Sequence, residues 1–352
     1  MDSEGVFIAT LIDHSAKALA AGTVMRLQEM GRGDVETWGF QELVKDVEVR
    51  LDNLSESLAV GGPELFELDV AWLAGAYTAR ELSVDSLERT LDALAAELGE
   101  SLPDTAADKA RTFVESAKLR LAEGSHAVPS LLTGDGPEVR LAQRLLLAML
   151  QGSADEAQHL LVEALEGGTD VTSLHGVIAL AQAEMGRMWQ TGEVHAAEEH
   201  LGSRIVEEAL TVLRSRAPRA PRNGRSVLVS SVVGNLHSIG GRMVADHFEL
   251  SGWRSLFFGA DTPTEDLVLA VGQFEADVVA LSVGLGLNMR GTAELISGIQ
   301  RSHPDVPVLV GGRPFAALPE LWRAVGADGF APDAESAVRE ATRLLEAKRE
   351  PA

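Results

Sequence analysis

The residues best placed to do chemistry are Asn235, His237, Ser238, Ile239, Gly240 and Gly241. They follow the apolar run 227–233 after one glycine and open a helical pattern. Strand, polar turn and helix start is where a parallel α/β sheet presents its ligand-binding edge. A histidine in that turn can offer an imidazole nitrogen to a metal from one side. Asn235, two residues earlier, can accept the other ring N–H and so fix the tautomer. Gly240 and Gly241 keep side chains away where the helix start approaches a large ligand. A lone histidine after a strand is more often an ordinary loop residue, so the turn needs support from elsewhere. Ser282 ends the apolar run 278–281, and Gly311 with Gly312 ends the run 308–310. This puts a hydroxyl and a side-chain-free gap at the carboxyl ends of two more strands, on the same edge as His237 if the sheet is parallel.

The elements that must position these residues are read from periodicity. Strands are predicted at 226–233, 255–258, 278–282, 306–311 and 329–331, with helices between them and a last helix from 334 to about 348. The alternation predicts a doubly wound, five-stranded parallel sheet in the flavodoxin-like order. The loop 259–263 lies on the same edge. Upstream, apolar residues at three- and four-residue spacing predict helices at 6–30, 43–58, 65–77, 87–98 and 106–121. They are broken at Gly31-Arg32-Gly33, Gly61-Gly62-Pro63 and Leu102-Pro103, with helix starts at Ser83 and at Pro103-Asp104. A linker at 124–134 leads to four more helices at 138–150, 154–166, 171–192 and 196–213, an antiparallel bundle. The basic, proline-punctuated stretch 214–225 reads as a solvated hinge. The fold class is therefore α/β plus all-α, in three domains: a helical domain at 1–123, whose helix order resembles the non-haem globin-like sensor modules of bacterial signalling proteins, a four-helix-bundle cap at 134–214 and a Rossmann-like domain at 225–352.

Composition excludes several functions. The formal net charge of −23 argues against a nucleic-acid partner, whose phosphates need clustered Lys and Arg. Cysteine is absent, which fits a cytoplasmic protein and excludes thioether-attached chromophores and cysteine-ligated clusters. No stretch reaches transmembrane length without charges, so no membrane partner is expected. His14 is the only histidine before His126 and lies in the first helix, so haem is not expected in the N-terminal domain.

The series Asn-x-His-x-x-Gly-x41-Ser-x-Gly-x26-Gly-Gly resembles the cobalamin-binding domain of methionine synthase, corrinoid proteins and mutases. The resemblance implies that His237 replaces the nucleotide base as lower cobalt ligand and that Asn235 orients it. It also implies that the base tail threads into the sheet beside Ser282, Gly311 and Gly312. The pattern usually has Asp at the place of Asn235 and Leu at the place of Gly284, so cobalt reactivity and the packing around the tail depart from the family here.

A second signal lies in the bundle, where Trp189 is followed after nine residues by Glu199 and His200. On spacing alone Trp189 reads more readily as a core residue, and Glu198, Glu199 and His200 as the solvated N-terminal turn of the last bundle helix, where acidic residues suit the dipole. Beside a cobalamin domain, the spacing resembles the adenosyl-pocket signature of light-sensing cobalamin proteins. With the N-terminal helical domain, the architecture resembles the photocobilins, receptors that hold a bilin such as biliverdin next to cobalamin. What this implies is a light receptor and not an enzyme: photolysis of adenosylcobalamin moves the cap and changes association state, with output through self-association or a separate signalling partner. His14, Trp72, Tyr77 and Arg80 are the bilin candidates, each also readable as core or surface. A corrinoid carrier shuttling methyl groups between methyltransferases and a non-catalytic interaction adaptor are the competing readings.

Overall fold

Helices form wherever the apolar spacing runs unbroken, and each stops where a glycine or proline interrupts it. The computed structural model describes residues 1–31 and 39–347. In its first half, α1 (Ser3–Glu29), α2 (Phe40–Val60), α3 (Glu64–Ala79), α4 (Val84–Ser101) and α5 (Asp104–Glu123) lie within a few residues of the expected helices. Gly61 closes α2 in the left-handed conformation (φ 97°), its N–H donating to Ser57 O at 3.0 Å, a conformation that glycine adopts without Cβ strain. The expected breaks 61–63 and 102–103 fall at helix ends; that at 31–33 reaches outside the described residues. Leu51, Leu54, Leu58, Phe66, Leu91 and Leu94 are fully buried and form the centre of this helical unit. Met1–Val128 together with Gly286–Arg290 makes up one of two compact units of the chain.

Pro129–Leu285 with Gly291–Ala352 makes up the other. It opens with a bundle of α6 (Pro137–Leu150), α7 (Ala154–Glu166), α8 (Val171–Thr191) and α9 (Ala196–Arg216). Asp170 caps α8 by accepting from Ser173 N at 3.0 Å, and Gly192 closes it at φ 81°. Leu145, Leu161, Ile178, Met185, Val206 and Leu210 fill the bundle core.

The sheet follows, with β1 (Ser226–Ser230), α10 (Ile239–Leu250), β2 (Arg254–Phe257), α11 (Thr264–Gln273), β3 (Val278–Ser282), α12 (Met289–Ser302), β4 (Val308–Gly311), α13 (Arg313–Ala317), α14 (Leu321–Ala324), β5 (Gly329–Phe330) and α15 (Ala334–Ala347). All pairs are parallel, in the order β2-β1-β3-β4-β5, so the switch point lies between β1 and β3. β1 is buried along its whole length, as a central strand covered on both faces must be. It stops three residues before its apolar run does. Beyond it Ser231 N donates to Gly259 O at 3.1 Å, and Val233 emerges half-exposed at the sheet edge.

The bundle and the sheet share one packed seam. Ile239 and Met243 of α10 pack on the bundle core, and Arg214 of α9 reaches Glu249 at 2.7 Å and Asp246 at 3.3 Å. The stretch expected as a solvated hinge is exposed but pinned: Ala220 N donates to Leu250 O at 2.8 Å and Asn223 N to Gly252 O at 3.0 Å. Among the described residues, no helix is long and apolar enough to cross a membrane.

Candidate functional site

The turn after β1 is built around one buried amide. Asn235 is fully buried, and its Nδ2 donates to Ser282 O at 3.0 Å and to Ser231 Oγ. A carbonyl oxygen only accepts, so the amide orientation is fixed and Oδ1 must face His237. There Oδ1 accepts from His237 N at 3.2 Å and from the ring Nδ1 at 3.0 Å. Nδ1 therefore carries the proton, and Nε2 is left with its lone pair. The ring keeps an exposed edge, while the protein mass around it holds its pKa below the ordinary histidine value; Glu199 opposes this shift and Arg313 adds to it. A neutral imidazole with its proton committed inward is the form in which histidine binds a metal.

The turn is held from three sides. Asp261 accepts from Gly234 N at 2.8 Å, and Asp261 N donates to Asn235 O at 3.1 Å, which ties in the loop after β2. Ser238 Oγ donates to Glu207 Oε1 of α9 at 2.7 Å, linking the turn to the bundle. Gly284 lies against the imidazole, since a Cβ there would come 2.9 Å from His237 Cγ and Nδ1. The structure thus puts Gly284 beside the histidine, where sequence reasoning had it beside the tail. The leucine that the family pattern has here would force the ring elsewhere. Leu236 at 75% exposure, with the exposed Val233 and Leu285, gives the edge an apolar surface of the kind a flat macrocycle covers.

Behind the turn lies a cavity of about 370 Å³, lined by Gly240, Ser282, Gly311 and Gly312 with residues of α8, α10 and α15. Its volume is in the range of small-molecule sites. The glycines are required here. A Cβ at Gly311 would meet Ala331 O at 2.7 Å, and one at Gly312 (φ 110°) would meet Val283 O at 2.1 Å. The donor set, the glycine-walled slot and the two unpartnered imidazoles of His175 and His247 that line it fit a cobalt corrinoid with a nucleotide tail.

The remaining sequence candidates are placed as follows. Ile239 packs on the bundle core. Trp189 lies in the last turn of α8 at 42% exposure, and Glu199 and His200 lie near the start of α9, with Glu199 accepting from Ser203 Oγ at 2.7 Å and His200 largely exposed. In the helical unit, His14 Nδ1 is bonded to Thr10 O of its own helix at 2.8 Å. Trp72 packs on the core and Tyr77 is part of it, its phenol pushed up to about 12 by burial; Arg80 is exposed at the end of α3. Sequence reasoning missed Ser231, Glu207, His175 and His247. The only sequence signal for the last two was a histidine on the apolar face of a helix.

Two tests arise from this geometry. Asn235→Asp, which restores the family's usual residue, sets a carboxylate oxygen against Ser282 O where the amide N–H₂ now donates. It is expected to cost about 1–3 kcal/mol, read as a lower unfolding midpoint. An Asp variant as stable as the wild type contradicts the amide orientation. His175 is held at about 4 by burial, with His247 adding to the shift. A folded pKa below the unfolded value means that the unfolded chain takes the proton first. The neutral group's contribution is therefore intact above about pH 6.5 and is lost as pH falls toward 4, by about 3 kcal/mol. The His175→Leu variant is expected to lack this slope in denaturant titrations across that window; identical slopes would refute the assignment.

A doubly wound sheet with a histidine turn at its switch point, a glycine-walled slot and a helical bundle on its flank defines a receptor for a large tailed cofactor. Residues 225–342 match the B12 binding domain family, and residues 141–214 match a second family model of the same description. Two segments of the chain thus resemble B12 binding domains, one in the bundle and one in the sheet. It is 25% identical over 213 residues to a corrinoid protein of Desulfitobacterium hafniense, covering 58% of this chain and 97% of that one. It is 24% identical over 173 residues to dimethylamine corrinoid protein 2 of Methanosarcina acetivorans, covering 48% and 79%. The monomethylamine corrinoid protein of Methanosarcina barkeri shares the fold, with a TM-score of 0.52 at 19% identity over 59% of this chain and 98% of that chain.

These relatives overturn the light-receptor reading, and with it the photolysis-driven change of cap position and association state: one is a corrinoid protein and another a dimethylamine corrinoid protein. The Trp189, Glu199 and His200 spacing that suggested an adenosyl pocket spans the turn from α8 to α9.

Proposed function

We propose that this chain is a corrinoid methyl carrier that serves methyltransferases. The observation that carries the reading is the likeness to corrinoid proteins, dimethylamine corrinoid protein 2 among them, beside B12 binding domain matches in both the bundle and the sheet. When bound, the corrinoid would supply cobalt methyl-transfer chemistry for methyltransferase partners. The chain's own residues hold and expose that centre. His237 Nε2 would hold the cobalt, and Asn235 keeps that nitrogen's lone pair free by holding the Nδ1 proton. Gly311, Gly312, Gly240 and Ser282 leave room for the nucleotide tail. Glu207 anchors the turn to α9 through Ser238. Trp189 and His200 are solvent-exposed, so they would be open to a methyltransferase docking on this end of the bundle. In this role catalysis belongs to the partners.

The test compares upper ligands. Loaded with methylcobalamin or adenosylcobalamin, the protein is expected to elute identically on size exclusion, in the dark and after illumination. A change of elution on illumination seen only with the adenosyl form would contradict the carrier reading.

A further inference from the structure

Two histidines of the slot have no part in holding cobalt. His175 of α8 and His247 of α10 both line the cavity, with ring centroids 6.0 Å apart and planes tilted by 55°. His175 is 6% exposed, and Nδ1 of each ring is buried with no hydrogen-bond partner. A buried polar nitrogen left unpaired is costly, and two on one cavity point to a ligand that completes them. Burial holds both rings below the ordinary histidine range, so each is neutral and offers one N–H and one lone pair.

Position and charge narrow the ligand. His247 lies eight residues beyond Ile239, about 12 Å of helix rise from the histidine turn. Asp333 and Glu335 line the same cavity, and both act electrostatically on His247. Two carboxylates disfavour a phosphodiester at this place, whereas a neutral flat heterocycle suits it. When His237 replaces the base on cobalt, the base loses the partner of its ring nitrogen, and that nitrogen becomes a free acceptor. An imidazole N–H then satisfies both unpaired groups at once.

We propose that His175 and His247 flank the heterocyclic lower base of the corrinoid tail and that one of them donates to its free ring nitrogen, so that the chain selects corrinoids whose base carries an unsubstituted aromatic nitrogen. This rests on the cobalamin reading of the slot. A phenolic lower base has no such acceptor and leaves the imidazoles unpaired, and sites built to hydrogen-bond a ligand reject analogues that lack the group.

The experiment measures dissociation constants of the full-length protein, by calorimetry, for three aqua corrinoids: cobalamin, the p-cresolyl cobamide and cobinamide, which has no tail. In the His175→Leu/His247→Leu double variant, the ratio of cobalamin to p-cresolyl affinity is expected to shift about tenfold or more toward the p-cresolyl form. Cobinamide affinity should be unchanged. The His175→Gln/His247→Gln variant keeps N–H donors and is expected to restore the ratio to within about threefold of wild type. An unchanged ratio in the Leu variant, or an equal shift in the Gln variant, overturns the proposal while leaving cobalamin binding in place. Wild-type protein that binds none of the three corrinoids overturns the cobalamin reading and the proposal together.

Discussion

Gly312→Ala is expected to be among the most damaging single-methyl additions in the sheet half of the chain. The residue follows β4 at φ 110°, where a Cβ is strained, and that Cβ would come 2.1 Å from Val283 O. Both partners are backbone, so no side-chain rotation relieves the clash. Strain of this kind costs about 1–3 kcal/mol and overpacking about as much again. A loss of about 3 kcal/mol or more is therefore expected, seen as a fall in the denaturant midpoint at constant slope. Gly134→Ala is the control: its φ of 97° is equally left-handed, but no atom lies within 4 Å of the added Cβ. That variant is expected to lose only about 1 kcal/mol. Equal losses in the two variants would show that backbone strain alone acts, and that Gly312 is not held by its close approach to Val283. Because Gly312 also walls the slot, its variant is expected to bind cobalamin more weakly, while Gly134→Ala binds as wild type.

His237→Ala carries the second large effect. The imidazole is the donor that Asn235 and Gly284 are arranged around: one fixes its proton, and the other leaves space for its ring. Residues that only orient a metal ligand already change metal affinity about 10- to 100-fold, so deletion of the ligand itself is expected to cost at least that much for cobinamide, which has no tail to hold it. Cobalamin is expected to lose less, because the slot behind the turn is untouched. Equal affinity of wild type and His237→Ala for cobinamide would remove the histidine from the site.

Much of this was legible in the sequence because the signals are local. The helices of the bundle are bounded by Gly, Pro and Asp residues that cap or break them, such as Asp170 and Gly192, and so fall within a few residues of their expected ends. The strand order followed from alternation alone, and His237 with Asn235 from their spacing after a buried strand. What was not legible depends on distant parts of the chain meeting. The end of β1 is set by the loop after β2, so the apolar run 227–233 overstated it. Glu207 reaches Ser238, and His175 reaches the slot, only because α8 and α9 pack on α10. Gly284 looked like a departure at the tail, yet its neighbour is the imidazole. The Trp189, Glu199 and His200 spacing suggested a light receptor, a reading that the likeness to corrinoid proteins overturns.

The central claim is that a protein imidazole, that of His237, is the lower ligand of bound cobalamin. Electron paramagnetic resonance of the reduced, cobalamin-loaded protein tests it directly, with one sample at natural abundance and one grown on ¹⁵N-histidine. Lower-ligand nitrogen splits each cobalt line into three when it is ¹⁴N and into two when it is ¹⁵N. The structure predicts that the three-line pattern becomes two-line in the labelled protein and disappears in His237→Ala. A three-line pattern that survives ¹⁵N-histidine labelling would mean that the cofactor's own base remains on cobalt, contradicting the account of the turn and of the slot behind it.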